Sequence, residues 1–170
     1  MNIEKIKNAK TSFLGKEIIY EKELNSTQNL AKEIVRKVNN GCLIITDNQT
    51  SGRGTKGRVW ISKKDKNITM TIIINDNIEI EKLEGLTLKL AEGIKKAIKE
   101  LYNYNLFIKE PNDLLLNNKK ICGILTESSI IQNKVNYLLI GIGFNVNEEC
   151  FEEELRTNCY IFKERIQKRI

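Results

Sequence analysis

In residues 49–60, three glycines (Gly52, Gly54, Gly57) alternate with three cations (Arg53, Lys56, Arg58), and Val59 and Trp60 close the stretch. Backbone without side chains approaches a ligand closely while the cations supply charge and donors, so the composition suits an anion. Where the stretch sits limits the fold. The apolar run of residues 42–46 before it reads as a strand, and the alternating run of residues 67–75 after it reads as another. A glycine-rich loop hung between two strands is neither of the familiar phosphate loops, which both run from a strand into a helix. Gly-Lys-Ser/Thr is absent, and the glycine spacing is not that of a dinucleotide fold. Taken by itself, such a loop also reads as a solvated connection rich in charge.

Strands dominate the rest. Ile18, Ile19 and Tyr20 form a first short strand, and Asn25, Ser26 and Thr27 offer cap-forming side chains before Leu30, Ile34 and Val38. That spacing predicts an amphipathic helix closed by Gly41. In residues 67–75, Ile68, Met70, Ile72 and Ile74 share one strand face while Thr69, Thr71 and Ile73 share the other. Residues 75–77 read as a turn. Leu83, Leu86, Leu90, Ile94, Ala97, Ile98 and Leu101 recur at three- and four-residue steps, the clearest helical stripe in the chain. A strand at residues 106–108 runs into Lys109, Glu110, Pro111, Asn112 and Asp113; residues 114–116 and 119–125 make a hairpin about Asn117 and Asn118. Residues 137–142 are a further strand, leading to Gly143 and Asn145. Residues 148–170 carry helix-compatible charged blocks with a poor apolar stripe and read as a helical tail of one 170-residue domain.

Composition removes whole classes of chemistry. The chain has no histidine, which excludes histidine triads, histidine zinc sites and the metalloprotease helix motif. Its four cysteines (Cys42, Cys122, Cys150, Cys159) form no Cys-x-x-Cys pair and read as incidental thiols. A net charge of +6 favours acidic partners without choosing among them. Neither a signal peptide nor a run long enough for a membrane span stands out, so the cytosol is the expected compartment and no membrane partner is expected.

Taken together and in order, several segments resemble the catalytic core of the biotin protein ligases. The run from Gly52 through Arg53, Gly54, Thr55, Lys56, Gly57, Arg58 and Val59 to Trp60 is similar to that family's glycine-arginine signature. Lys109 to Asp113 resembles its Lys-Trp-Pro-Asn-Asp motif, and Lys120, Ile121, Cys122, Gly123, Ile124 and Leu125 resemble the strand that follows. Gly141, Gly143, Asn145 and Asn147 fit its Gly-x-Gly-x-Asn-x-Asn end, and Ser26 with Thr27 its early corner. The resemblance implies an α+β fold related to the class II synthetases: a mixed, largely antiparallel sheet with helices on one face. It also implies two steps, formation of biotinyl-5′-AMP from biotin and ATP and transfer of biotin to a lysine of a biotin carboxyl carrier domain of acetyl-CoA carboxylase or a related carboxylase. Mg2+ would accompany ATP, with its protein ligands left open.

Carried over by position, Arg53, Lys120 and Asp113 become candidate catalytic residues, Asp113 meeting the acceptor lysine or the metal. Ser26, Thr27, Gln28, Gln49, Gly52, Gly54, Thr55 and Gly123, with Arg53 and Lys120, are implied around biotin. Arg58, Trp60, Asn112 and Asn145, again with Arg53 and Lys120, are implied around ATP, Trp60 and Asn145 toward adenine. Without the resemblance the same residues read as a helix cap, a strand-end amide, surface charges and a core tryptophan. Two positions depart from the family: Thr55 stands where many members have arginine, and Glu110 where tryptophan is usual. An N-terminal DNA-binding domain, a repressor role and a C-terminal β-barrel are not expected within this chain, since 23 residues follow Asn147. The alternatives are a lipoate or octanoyl transferring relative and, in another class, a noncatalytic nucleic-acid-binding module using Arg53, Lys56 and Arg58 on phosphates.

Overall fold

The computed structural model describes residues 2–76 and 78–147. Seven strands form one sheet in the order β1-β2-β5-β9-β8-β7-β6, with bounds Ile18–Leu24 (β1), Leu43–Gln49 (β2), Asn67–Ile74 (β5), Phe107–Lys109 (β6), Asp113–Leu116 (β7), Lys119–Ile131 (β8) and Lys134–Asn145 (β9). Gly52–Arg53 (β3) and Val59–Trp60 (β4) pair apart from it. Only β1 and β2 run parallel, as a crossover through the helix Thr27–Ile34 (α2) requires; the other neighbours in the sheet are antiparallel. This is the mixed, largely antiparallel α+β architecture expected.

Alternation along the central strands splits the interior in two. Met70, Ile72 and Ile74 of β5 and Leu138, Ile140, Ile142 and Phe144 of β9 join one apolar cluster with Ala91, Leu90, Ile94 and Ile98 of the long helix Leu86–Tyr102 (α3), which lies nearest β6, β7 and β8. Helical cover of that face belongs to α3. On the other face Ile73 and Leu139 pack against Ala31 and Val35, so α2 covers only the part of that face over β2, β5 and the near end of β9. The rest of that face is left for the site.

Several element ends differ from the sequence reading, each for a local reason. α2 stops at Ile34 instead of reaching Gly41, because the Asn75 amide donates to the carbonyls of Val35 (3.0 Å) and Val38 (2.8 Å), which another turn would have used. Val38 still packs on the same cluster. The long stripe starts at Leu86; Gly85, at φ +64°, separates it from a 3-10 turn at Ile80–Leu83, and Leu101 at its far end is 71% exposed. β8 and β9 extend well beyond the apolar runs and are joined through Gln132 and Asn133, both at positive φ, just as Asn117 and Asn118 join β7 to β8. A short helix at Ile3–Lys7 (α1), capped by Asn2, precedes the sheet without a sequence signal that singled it out. The helical tail at residues 148–170, and Asn77 of the expected turn, lie outside the described residues.

Candidate active site

The glycines of β8 and β9 create the floor. Register places Thr69 beside Gly143 and Gly143 beside Gly123, and in the next row Thr71 beside Gly141. Since every second residue of a strand faces the same way, this patch of sheet has almost no side chains of its own. Side chains from elsewhere lie on it. A methyl group at Gly143 would stand 2.2 Å from Trp60 Cε2, and one at Gly141 would stand 2.8 Å from Gln28 Oε1. Only glycine permits this approach. Trp60 Nε1 and Gln28 Nε2 are both buried with no hydrogen-bond partner among the described residues.

One wall is the start of α2. Ser26 caps the helix, its hydroxyl accepting from the Asn29 backbone N–H at 3.4 Å. The Thr27 backbone N–H and hydroxyl both donate to Gln49 Oε1, at 2.8 and 3.1 Å. Thr71 Oγ1 lies 2.9 Å from Thr27 Oγ1 and 3.1 Å from Gln28 Oε1, so the hydroxyl of β5 ties the corner to the sheet. Thr27, Gln28 and Thr71 are all buried. The chemistry is that of a rigid polar corner holding several donors and acceptors in fixed directions.

The basic loop forms the lid side. Gly52 pairs with Trp60 and Arg53 with Val59, folding the loop back on itself around a turn at Thr55–Gly57. Gly52 is needed beneath, since a Cβ there would meet the Trp60 carbonyl oxygen at 2.3 Å. Arg53 donates to both carboxylate oxygens of Glu127, at 2.8 and 3.2 Å, and to Asn29 Oδ1 at 3.2 Å. Arg58 turns back onto its own loop, with Nη2 donating to Thr55 Oγ1 at 2.7 Å and Nε to the Thr55 carbonyl at 3.2 Å. Thr55, the departure from the family pattern, therefore anchors the neighbouring cation.

The opposite wall comes from β7, β8 and the turn before them. Lys120 Nζ lies 2.7 Å from Asp113 Oδ1 and 5.3 Å from the centre of the Trp60 ring. Asn112, which follows the cis Glu110–Pro111 peptide, is buried and donates to the Ile124 carbonyl at 3.1 Å, binding the turn to β8. Asn145, 1% exposed, presents a buried Oδ1 without a hydrogen-bond partner among the described residues. Below the floor, burial pushes the Cys122 thiol up to about 12 despite the opposing charge of Lys120. It stays protonated at neutral pH and is no nucleophile.

All the residues implied around biotin and ATP line one cavity of about 410 Å³, with the exception of Gly52, which supports the loop from below; Lys56 of the nucleic-acid alternative does not line it. That volume lies in the range of small-molecule sites. The sequence reading missed Thr69, Thr71, Gly141, Gly143, Leu125 and Lys109 as lining residues. A signal existed for the threonines, two hydroxyls on one face of an otherwise apolar strand. Thr69 and Thr71 have other work beside the cavity as well, Thr69 donating to the Thr46 carbonyl at 3.0 Å. Among the described residues no three histidine, cysteine, aspartate or glutamate side chains are grouped to hold a metal ion.

Comparison with known proteins agrees with this geometry. The chain is 39% identical over 150 residues to the bifunctional ligase/repressor BirA of Bacillus subtilis, a match covering 86% of this chain and 46% of that protein. It is 30% identical over 157 residues to biotin–protein ligase 2 of Arabidopsis thaliana, covering 88% of this chain and 47% of the relative. The chain thus spans about half the length of the curated relatives it matches. Among solved structures, the biotin protein ligase of Aquifex aeolicus in complex with biotin and ATP superimposes with a TM-score of 0.75 at 33% identity, covering 88% of this chain and 60% of that one. The Leishmania major enzyme in complex with biotinyl-5-AMP gives 0.73 at 26% identity, covering 89% and 65%. Residues 20–145 match the Biotin/lipoate A/B protein ligase family, and the chain belongs to that family.

Proposed function

We propose that this chain carries out biotin protein ligation: the biotin carboxylate attacks the α-phosphorus of ATP, pyrophosphate leaves, and the amine of an acceptor lysine then displaces AMP from the acyl carbon with loss of a proton. The observation that carries this reading is the single cleft in which a polar corner (Thr27, Gln49, Thr71), a glycine floor and two cations (Arg53, Lys120) converge from distant segments. Joining a carboxylate to a phosphate brings anions together, and preorganised cations and donors are what such a step requires. The corner suits the polar ureido edge of biotin, and the floor beside Trp60 suits its apolar sulfur-containing ring. The buried Asn145 Oδ1 suits the adenine amino group. Asp113, beside Lys120, is suited to hold the incoming ammonium of the acceptor.

Mg2+ fits this site as a companion of the phosphates. With no protein cluster to hold it among the described residues, the nucleotide would supply most of its ligands, Asp113 being the carboxylate at hand, and the ion would neutralise phosphate charge. The acceptor is a lysine on a biotin carboxyl carrier domain of a carboxylase, and the cytosol, where ATP and such carriers meet, is the proposed compartment. Family membership alone spans biotin and lipoate ligases, so the test must separate the two acids. Exchange of labelled pyrophosphate into ATP is expected with biotin and not with lipoate or octanoate, followed by biotin transfer to a carrier domain. Exchange driven by lipoate or octanoate would transfer the assignment to that branch, and exchange with none of the three acids would overturn it.

A further inference from the structure

We infer that Glu127, a residue outside the cleft, positions Arg53 for the site's anion. Arg53 lines the cavity and Glu127 does not. The Glu127 carboxylate takes the far end of the guanidinium in two-point fashion, through Nη2 at 2.8 Å and Nη1 at 3.2 Å, and Asn29 Oδ1 takes Nη1 from a second side at 3.2 Å. A guanidinium has five N–H donors in a planar fork. With the end edge held by Glu127 and the outer Nη1 donor by Asn29, the edge formed by Nε and the remaining Nη2 donor is the one left for a carboxylate or phosphate. Arg53 is thereby a bridge between a fixed protein anion and a ligand anion, not a free surface charge.

The arrangement has little value as a structural staple. The two side chains are 40% and 30% exposed, and an ion pair so accessible to solvent adds little to folding stability. Its geometric value is larger. Arg53 sits on a two-residue strand at the base of the loop, with only the β3–β4 pairing to orient it from its own element. Glu127 lies on β8, in the ladder with β9 opposite Leu139, and Asn29 lies in the first turn of α2. Two rigid elements thus hold a side chain that a loop delivers, which removes rotamer freedom before the ligand arrives. No role had been given to Glu127 from the sequence, since an isolated acidic residue on a strand carries no signal of its partner.

The inference rests on the ligase reading for its kinetic consequence but not for its geometry, and the test uses both. In Glu127→Gln, the biotin-dependent exchange rate at subsaturating biotin is expected to fall about tenfold, mainly through KM, while the thermal midpoint stays close to that of the unaltered chain. In an Arg53→Ala background the same substitution should have no further effect, because Glu127 acts through Arg53 alone. In parallel, NMR of the guanidinium groups should show restricted rotation of the Arg53 Nη groups that Glu127→Gln releases. Unaltered exchange in Glu127→Gln, or an equal loss in the Arg53→Ala background, overturns the positioning role. So does Nη rotation that is the same with and without Glu127. If the unaltered chain shows no exchange with any acid, the ligase reading fails, and the NMR comparison still decides whether Glu127 holds Arg53.

Discussion

Individual residues in this cleft do different kinds of work, and proximity to the cavity does not separate them. Asn112 and Asn145 are both buried amides from the motif segments, yet Asn112 spends its donor on the Ile124 carbonyl while Asn145 keeps an acceptor unpaired among the described residues. Asn112 shapes the wall, whereas Asn145 is available to a ligand. Gly143 is the most sterically constrained of the floor residues, because the Trp60 ring occupies the place of its side chain. Gly143→Ala is expected to lift the indole off the sheet at a cost of about 1–3 kcal/mol, the usual penalty for overpacking. Trp60 is the only tryptophan, so its fluorescence reports the change directly. A red-shifted emission together with biotin affinity weakened roughly tenfold or more is the expected result; unchanged emission would show that the ring does not depend on the bare floor.

At the scale of elements, the basic loop is the least supported part of the site. It has two residue pairs of ladder, a three-residue turn with Lys56 at φ +56°, and the tie from Arg53 to β8. Cations at Lys56, Arg58, Lys64 and Lys66 crowd residues 51–66 beside the Arg53–Glu127 pair, and repulsion among them opposes closure until an anion arrives. Amide hydrogen exchange across residues 51–66 is therefore expected to slow by tenfold or more when biotin and ATP are added together. Equal exchange with and without the two ligands would show that the loop is set before binding. By contrast, the long β8–β9 ladder should exchange slowly in both states, since β9 is the middle strand of the sheet and β8 lies beside it.

For the molecule as a whole, two thiols among the described residues link burial to pH. Burial raises Cys42 to about 11 and Cys122 to about 12 from an ordinary 9.0. For an acid whose folded pKa is raised, the stabilisation is fully present below the unfolded pKa and is lost as pH rises through the folded one. Unfolding midpoints in urea are thus expected to hold up to about pH 9 and to fall between about 9 and 12. The fall should be shallower in a Cys42→Ala, Cys122→Ala double variant, with its overall stability set lower by the lost side chains. An identical slope in both proteins would assign the alkaline loss to other groups.

Much of the cleft was legible in the order of its segments, because residues suited to meet a ligand through backbone or short polar side chains leave compact local signatures: the glycines and cations of the loop, Lys109 to Asp113, and the glycine-asparagine end of β9. Strand faces were legible too, since period-two alternation in residues 67–75 already separated Thr69, Thr71 and Ile73 from Met70, Ile72 and Ile74. What sequence could not decide was registry and long-range pairing. The end of α2 depends on an amide 40 residues away, at Asn75, and the floor exists only because Gly141 and Gly143 fall in the same rows as Thr71, Thr69 and Gly123. Likewise Arg53 reads from sequence as a free cation and is found bound to Glu127, 74 residues further along. Local propensity and motif spacing are written along the chain, whereas the partner of a charge or the neighbour of a glycine is fixed only when the strands have taken their register.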